Sequence, residues 1–212
     1  MKIIKPSYEI IDQIDGQAIL KKLELIGRVS HKSEGKITET SAAPFVKKLI
    51  QLGDESVLEH VSITVRFICD RGISHELVRH RLAAITQEST RCCNYSQGKF
   101  GDEITVIRPD FLKEGSFKYV IWRYACMYAE QAYFHLLENG ATPEEARAVL
   151  PNSLKTEVIM TCNLREWRHI LSLRTNKRAH PQMRELMIPL LHELQNRVPV
   201  VFDDIVERIN HE

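Results

Sequence analysis

Apolar residues recur along this chain at two periods. From Val61 to Cys69 they alternate, with Ile63, Val65, Phe67 and Cys69 facing one way and Ser62, Thr64 and Arg66 the other. A period of two predicts a half-buried β-strand. Elsewhere the spacing is three and four. Gly16 to Val29 places Ile19, Leu23 and Ile26 on one helical face, Ser41 to Leu52 reads as a second helix, and Gly53 stands where a left-handed C-terminal cap is usual. The longest helical span is Phe117 to Glu138, with Phe117, Ile121, Ala125, Tyr128, Ala132 and Leu136 on one stripe. On that stripe Tyr124 and Tyr128 read as core. Asn139-Gly140 ends it, Pro143 opens another helix at a first-turn position, and Pro151 stops that one. Leu164 to Leu173 and Pro181 to Arg197 are helical, the latter with a kink expected at Pro189.

Short strands are expected at the N-terminus and over Ile104 to Ile107, while Lys155 to Thr161 fits strand or helix. Gly72 punctuates the alternating segment, and Ser74 is placed to cap a short helix running to about Arg81. Few strands among many helices predict an α+β fold, a single domain over residues 1–212 with a few-stranded sheet packed with several helices.

Composition narrows the class. A chain of 212 residues buries about 70% of its unfolded surface. No apolar run approaches the roughly 20 residues of a membrane span. Lys5 and Pro6 interrupt the N-terminal MKIIKPSYEI, so a signal peptide is not expected and a cytoplasmic protein is. The five cysteines, without a CxxC spacing, are expected to be free thiols. A net charge of +1 gives no field for nucleic acid or membranes. His75 and His80 are five apart, wrong for two metal ligands on one helical face, and no metal site is expected.

Charge matters where it clusters. Arg79-His80-Arg81 is followed after seven residues by Ser89 and then by Arg91, across the polar run Thr86 to Ser96. Three such side chains in a row cannot all face an apolar core. A guanidinium is a rigid fork of donors matched to phosphate oxygens, so two arginines and a serine hydroxyl read as a phosphate clamp. The same residues also read as a solvated turn paired with Glu76 and Glu88.

Arg-His-Arg, seven residues, then Ser resembles the signature of the flavin-dependent thymidylate synthases. Further segments agree with it: Arg28-Val29-Ser30, Glu55 to His60, Ala146 to Pro151, Asn163-Leu164-Arg165, His169, Leu173-Arg174 and His180. The resemblance covers about residues 28 to 184 and implies a homotetramer with shared active sites. It implies reductive methylation of dUMP to dTMP, with 5,10-methylenetetrahydrofolate as carbon donor and NADPH-reduced FAD as hydride source. FAD contacts fall on Ser30, Ser56, Glu59, Arg79, His80, Arg81, Gln87, Asn163, Leu164, Arg165, His169 and His180. The dUMP site falls on Glu76, Leu77, Val78, Arg79, Gln87, Glu88, Ser89, Thr90, Arg91, Arg147 and Arg174. Arg174 matches the arginine that favours ionisation of the uracil ring, where a fixed positive charge stabilises the imide anion. The chain lacks Gly-x-Gly-x-x-Gly, so side chains rather than a glycine-rich turn would hold FAD.

The chain departs from the family pattern at Asp54, Glu76 and Cys92, and by two extra residues between Arg174 and His180. Ser89 reads as a substrate ligand rather than a nucleophile, and Cys92-Cys93 as thiols beside the site rather than a catalytic pair. Two rival functions are a nucleic-acid module using Arg79, Arg81, Arg91, Arg165, Arg168, Arg174 and Arg178, and a flavin reductase without methyl transfer.

Overall fold

A computed structural model describes residues 1–96, 98 and 101–211. The chain divides into two compact units: Met1–Glu9, Arg66–Arg81 and Ile85–Ile159 form one, and Ile10–Val65, Leu82–Ala84 and Met160–Glu212 the other. The elements are α+β. Strands β2 (Ser7–Ile10), β3 (Ser62–Asp70), β6 (Lys155–Asn163) and β4 (Ala83–Gln87) form a sheet in the order β2-β3-β6-β4, and β1 (Lys2–Ile4) pairs in parallel with β5 (Thr105–Ile107).

The period-two reading of β3 holds: Ile63, Val65, Phe67 and Cys69 are all buried. The same alternation settles the 155–161 segment as strand, since Thr156, Val158, Met160 and Cys162 are buried and their neighbours are not.

In the first unit Tyr95, Ile104, Val106, Cys126, Tyr133, Ala146 and Leu154 form a core cluster, with Tyr95 set edge-on to Tyr133. Helix α4 (Phe117–Glu138) has the expected bounds, but its expected stripe is turned outward. Phe117 is 78%, Ile121 55%, Tyr124 52% and Tyr128 68% exposed, while Cys126 and Tyr133 are buried. The helix is apolar on several sides, so periodicity located a stripe without saying which side the core covers. Tyr124 and Tyr128 are not core.

Helix α3 (Arg71–Leu77) also differs from expectation. Its N-cap is Asp70, whose carboxylate accepts from Ile73 N at 2.7 Å, and it stops at Leu77 rather than near Arg81. Ser74 lies inside it, fully buried, with its hydroxyl donating to Arg71 O. Asp outcompetes Ser here because it precedes the first turn with extended backbone geometry. After α4, the short α5 (Pro143–Ala146) begins with a capping box between Thr142 and Glu145, which adds to the dipole account of its acidic first turn.

The second unit is mainly helical. Helix α1 (Gly16–Val29) and α2 (Ala42–Leu52) keep their expected bounds to one residue, and Gly53 takes the left-handed cap at φ 79°. Helix α6 (Leu164–Arg174) packs on α7 (Pro181–Arg197), on the 3-10 turn Glu55–His60 and on α8 (Asp203–His211). The sequence reading had no α8. Two acids in its first turn and two basic residues in its last were the available signal. Among the described residues no helix is long and apolar enough to cross a membrane.

Trp167 anchors this unit, fully buried, with Nε1 donating to Ile63 O at 3.0 Å. Trp167→Phe removes that hydrogen bond and opens space, so urea titration is expected to show a loss of about 2 kcal/mol.

Candidate active site

In the first unit the signature follows the end of α3. Val78 closes the helix, Arg79 N donates to Glu76 O at 3.3 Å and His80 N to Leu77 O at 3.1 Å, which makes a turn rather than a further helical round. The turn separates the three side chains: Arg79 and Arg81 are exposed, and His80 is buried to 6%. Leu77 is buried beneath them, and Val78 is exposed.

Strand β4 then delivers Gln87, Glu88, Ser89, Thr90 and Arg91. The Glu88 carboxylate is 14% exposed and accepts from Lys155 Nζ at 2.9 Å and Glu157 N at 3.2 Å. Glu88 is therefore neutralised by Lys155 and not by the signature arginines. Burial works against the Lys155 charge, but hydrogen bonds to Glu157 and Glu88 outweigh it and raise its pKa above the ordinary 10.5. Gln87 Nε2 donates to Ser74 Oγ at 2.8 Å and Thr156 Oγ1 at 3.3 Å. Arg147 Nη1 reaches Thr90 Oγ1 at 3.4 Å across 57 residues of sequence. Ser89 Oγ accepts from Arg91 N at 3.3 Å, and no base meets it among the described residues. Among those residues Arg79, Arg81, Arg91 and Arg147 have no carboxylate partner.

In the second unit a pocket of about 780 Å³ is lined by Glu55, Glu59, Leu82, Asn163, Arg165, Glu166, Arg168, His169, Ser172, Asp204, Ile205 and Arg208. The 3-10 turn supplies Glu55 and Glu59, α6 and its cap supply Asn163, Arg165, Glu166, Arg168, His169 and Ser172, and α8 supplies Asp204, Ile205 and Arg208. Arg165 Nη1 meets Glu59 Oε1 at 2.6 Å, both half-exposed at the rim. Arg168 is buried, forks onto Asp204 at 2.7 and 2.8 Å, meets Glu55 at 3.0 Å and donates to Val201 O. Burial raises the Asp204 pKa, but hydrogen bonds and charge from Arg168 outweigh it, and the net shift is down from 3.8.

Thus Gln87 to Arg91 and Arg147 gather in one unit, and Glu59, Asn163, Arg165 and His169 in one pocket of the other. Ser30, Ser56, Leu164, Arg174 and His180 do not line that pocket. Ser30 Oγ donates to Gly27 O, exposed Ser56 sits in the 3-10 turn, and Leu164 is buried with its N–H given to Val61 O. Arg174 ends α6, half-buried, and His180 caps α7. The sequence reading named neither Lys155, Ser74 and Thr156 beside Gln87 and Glu88, nor Ser172, Asp204 and Arg208 in the pocket. The polar pair Lys155 and Glu157, two apart on a strand, was a readable signal for the first group.

Of the cysteines, Cys69, Cys126 and Cys162 are buried, Cys93 is half-buried and Cys92 exposed, all as free thiols. Burial pushes the Cys69 thiol up to about 12 and the Cys162 thiol higher still, which leaves both inert at neutral pH.

A family profile described as "Thymidylate synthase complementing protein" matches residues 10–200. The flavin-dependent thymidylate synthase of Geobacter sulfurreducens is 33% identical over 170 residues, covering 80% of this chain and 72% of the relative. That of Pyrococcus furiosus is 33% identical over 172 residues, covering 81% and 70%. The chain belongs to this family, the flavin-dependent thymidylate synthases. Its fold is similar to that of a UMP/dUMP methylase from Streptomyces cacaoi bound with 5-Br dUMP, with a TM-score of 0.79 at 21% identity over 98% of this chain and 97% of that one.

The depressed Asp204 pKa fixes a sign. A carboxylate lowered by folding stabilises the native state above its unfolded pKa and loses that contribution as pH falls through the folded value. Wild type is expected to lose more stability than Asp204→Asn between about pH 5 and about pH 3, read from urea midpoints across that range.

Proposed function

We propose that the chain methylates dUMP to dTMP, with 5,10-methylenetetrahydrofolate as carbon donor, NADPH as reductant and FAD as cofactor. Residues 1–212 act as one domain of a cytoplasmic homotetramer, without nucleic-acid or membrane partners. The observation that carries this reading is the set of arginines in the signature unit, Arg79, Arg81, Arg91 and Arg147, that meet no carboxylate among the described residues. Cations left open in this way suit an anionic ligand, and the family's substrate class supplies a phosphate.

The donor set of the 780 Å³ pocket fits FAD. Its volume lies within the roughly 300–1,000 Å³ of small-molecule sites, and a few convergent polar groups stand beside the apolar Leu82 and Ile205. Glu59, Asn163, Arg165 and His169 would hold the cofactor there, and Arg79, His80 and Arg81 are assigned to it by the family pattern, as are Ser30, Ser56, Gln87, Leu164 and His180. Bound FAD supplies hydride transfer. The rest falls to the chain's own side chains.

Arg91, Arg147 and the Ser89 hydroxyl hold the nucleotide phosphate, and Glu76, Leu77, Val78, Arg79, Gln87, Glu88 and Thr90 complete its surroundings. Arg174 places a fixed positive charge at the uracil imide, which stabilises the ring anion and makes carbon 5 the nucleophile. Exposure of Phe117, Ile121, Tyr124 and Tyr128 along α4 supports assembly, because a monomer rarely leaves such an apolar stripe in water.

The test is turnover by the FAD-loaded enzyme with all three substrates. NADPH oxidation accelerated by dUMP, with dTMP formed, is expected. Oxidation that ignores dUMP and forms no dTMP would make the chain a flavin reductase and contradict the proposal. Arg174→Ala is expected to lower kcat about 100-fold, the scale of losing one charge-stabilising donor, measured as dTMP formed per unit time.

A further inference from the structure

Gln87, at the end of β4, meets two hydroxyls that are almost wholly buried. Its Nε2 donates to Ser74 Oγ at 2.8 Å and to Thr156 Oγ1 at 3.3 Å, and the two residues are 0% and 1% exposed. The Ser74 proton is already committed, because Oγ donates to Arg71 O at 2.9 Å. A hydroxyl has one proton, so toward Gln87 the Ser74 oxygen can only accept. The group facing it must be the NH₂.

The two orientations of an amide, which exchange oxygen and nitrogen, are therefore not equivalent here. Reversal would set Oε1 against a lone pair in a place water does not reach, and an unmet buried polar contact is costly. Both Nε2 hydrogens are used, one on each hydroxyl. Oε1 is left, with no donor among the described residues, and Gln87 lines a pocket of about 400 Å³ together with Glu88, Lys155 and Glu157.

We infer that Ser74 and Thr156 are positioning residues that lock Gln87 as a hydrogen-bond acceptor, so that it reads a donor on the bound nucleotide. This rests on the reading of dUMP as substrate. A phosphate at neutral pH presents acceptor oxygens and would be repelled by Oε1, so its recognition falls to the arginines. The nucleotide has two donors of the required kind, the sugar 3′-hydroxyl and the ring N3–H. Gln87 thus selects for sugar or base, and its selectivity is set by two residues that touch no ligand.

Calorimetric titration of the FAD-loaded protein with dUMP, 2′,3′-dideoxy-UMP and N3-methyl-dUMP tests this. Wild type is expected to bind one analogue about tenfold more weakly than dUMP, the scale of one lost hydrogen bond, and the weaker analogue identifies the donor. In Gln87→Met, and in the double variant Ser74→Ala with Thr156→Val, that discrimination is expected to shrink below about threefold. Gln87→Met leaves the buried pair intact and so reads the effect even if the double variant does not fold. Tight dUMP binding by wild type with no discrimination against either analogue would overturn the inference alone, as would discrimination undiminished in Gln87→Met. Absence of any dUMP binding would overturn the substrate reading itself.

Discussion

Charge pairing organises this molecule. A cation removed from water needs a carboxylate or an equivalent set of acceptors, and the buried cations here have them: Arg168 between Glu55 and Asp204, Arg28 on Glu24, Lys155 between Glu88 and Glu157. The Arg28–Glu24 pair lies within α1, whereas Arg168 and Lys155 also reach carboxylates on other segments. Arg168 ties α6 to α8 and to the 3-10 turn, and so forms one side of the large pocket. Lys155 ties β6 to the signature segment and occupies Glu88. These carboxylates are spoken for, and among the described residues the exposed arginines of the signature meet none.

Polar groups without charge follow the same constraint at finer scale. Asp70, Asn163 and Ser116 each give a side-chain oxygen to a helix N-terminus, which fixes where α3, α6 and α4 begin. The start of α6 in turn sets Arg165 and His169 on the pocket wall. Ser74, displaced from the cap position, is free to serve Gln87 instead. Local capping and site geometry are therefore one problem in this chain.

Much of the fold was legible because its elements carry strong periodic signals. The alternation of Ile63, Val65, Phe67 and Cys69 defined β3, and the proline and glycine punctuation around α4 and α7 fixed their ends. What periodicity cannot say is which side a neighbour covers, and α4, apolar on several faces, showed the wrong stripe. Strand β4 was hidden because its alternation is one of exposure and not of residue type: Ala83, Ile85 and Gln87 are half-buried and Ala84 and Thr86 exposed, with Thr86 and Gln87 already inside the polar run. In the site, the signature and its downstream partners could be named from motifs, and the Arg147–Thr90 bond brings two of them together. The supporting residues Lys155, Ser74, Thr156 and Asp204 act through contacts 13 to 69 residues away along the chain, which a linear reading does not reveal.

The central claim is that the protein binds a nucleotide and a flavin that react together. The most direct measurement is the visible absorption spectrum of the protein after incubation with FAD and gel filtration, with and without dUMP. The account predicts oxidised-flavin bands that co-elute with the protein and shift when dUMP is added. A colourless protein whose spectrum ignores dUMP would contradict it.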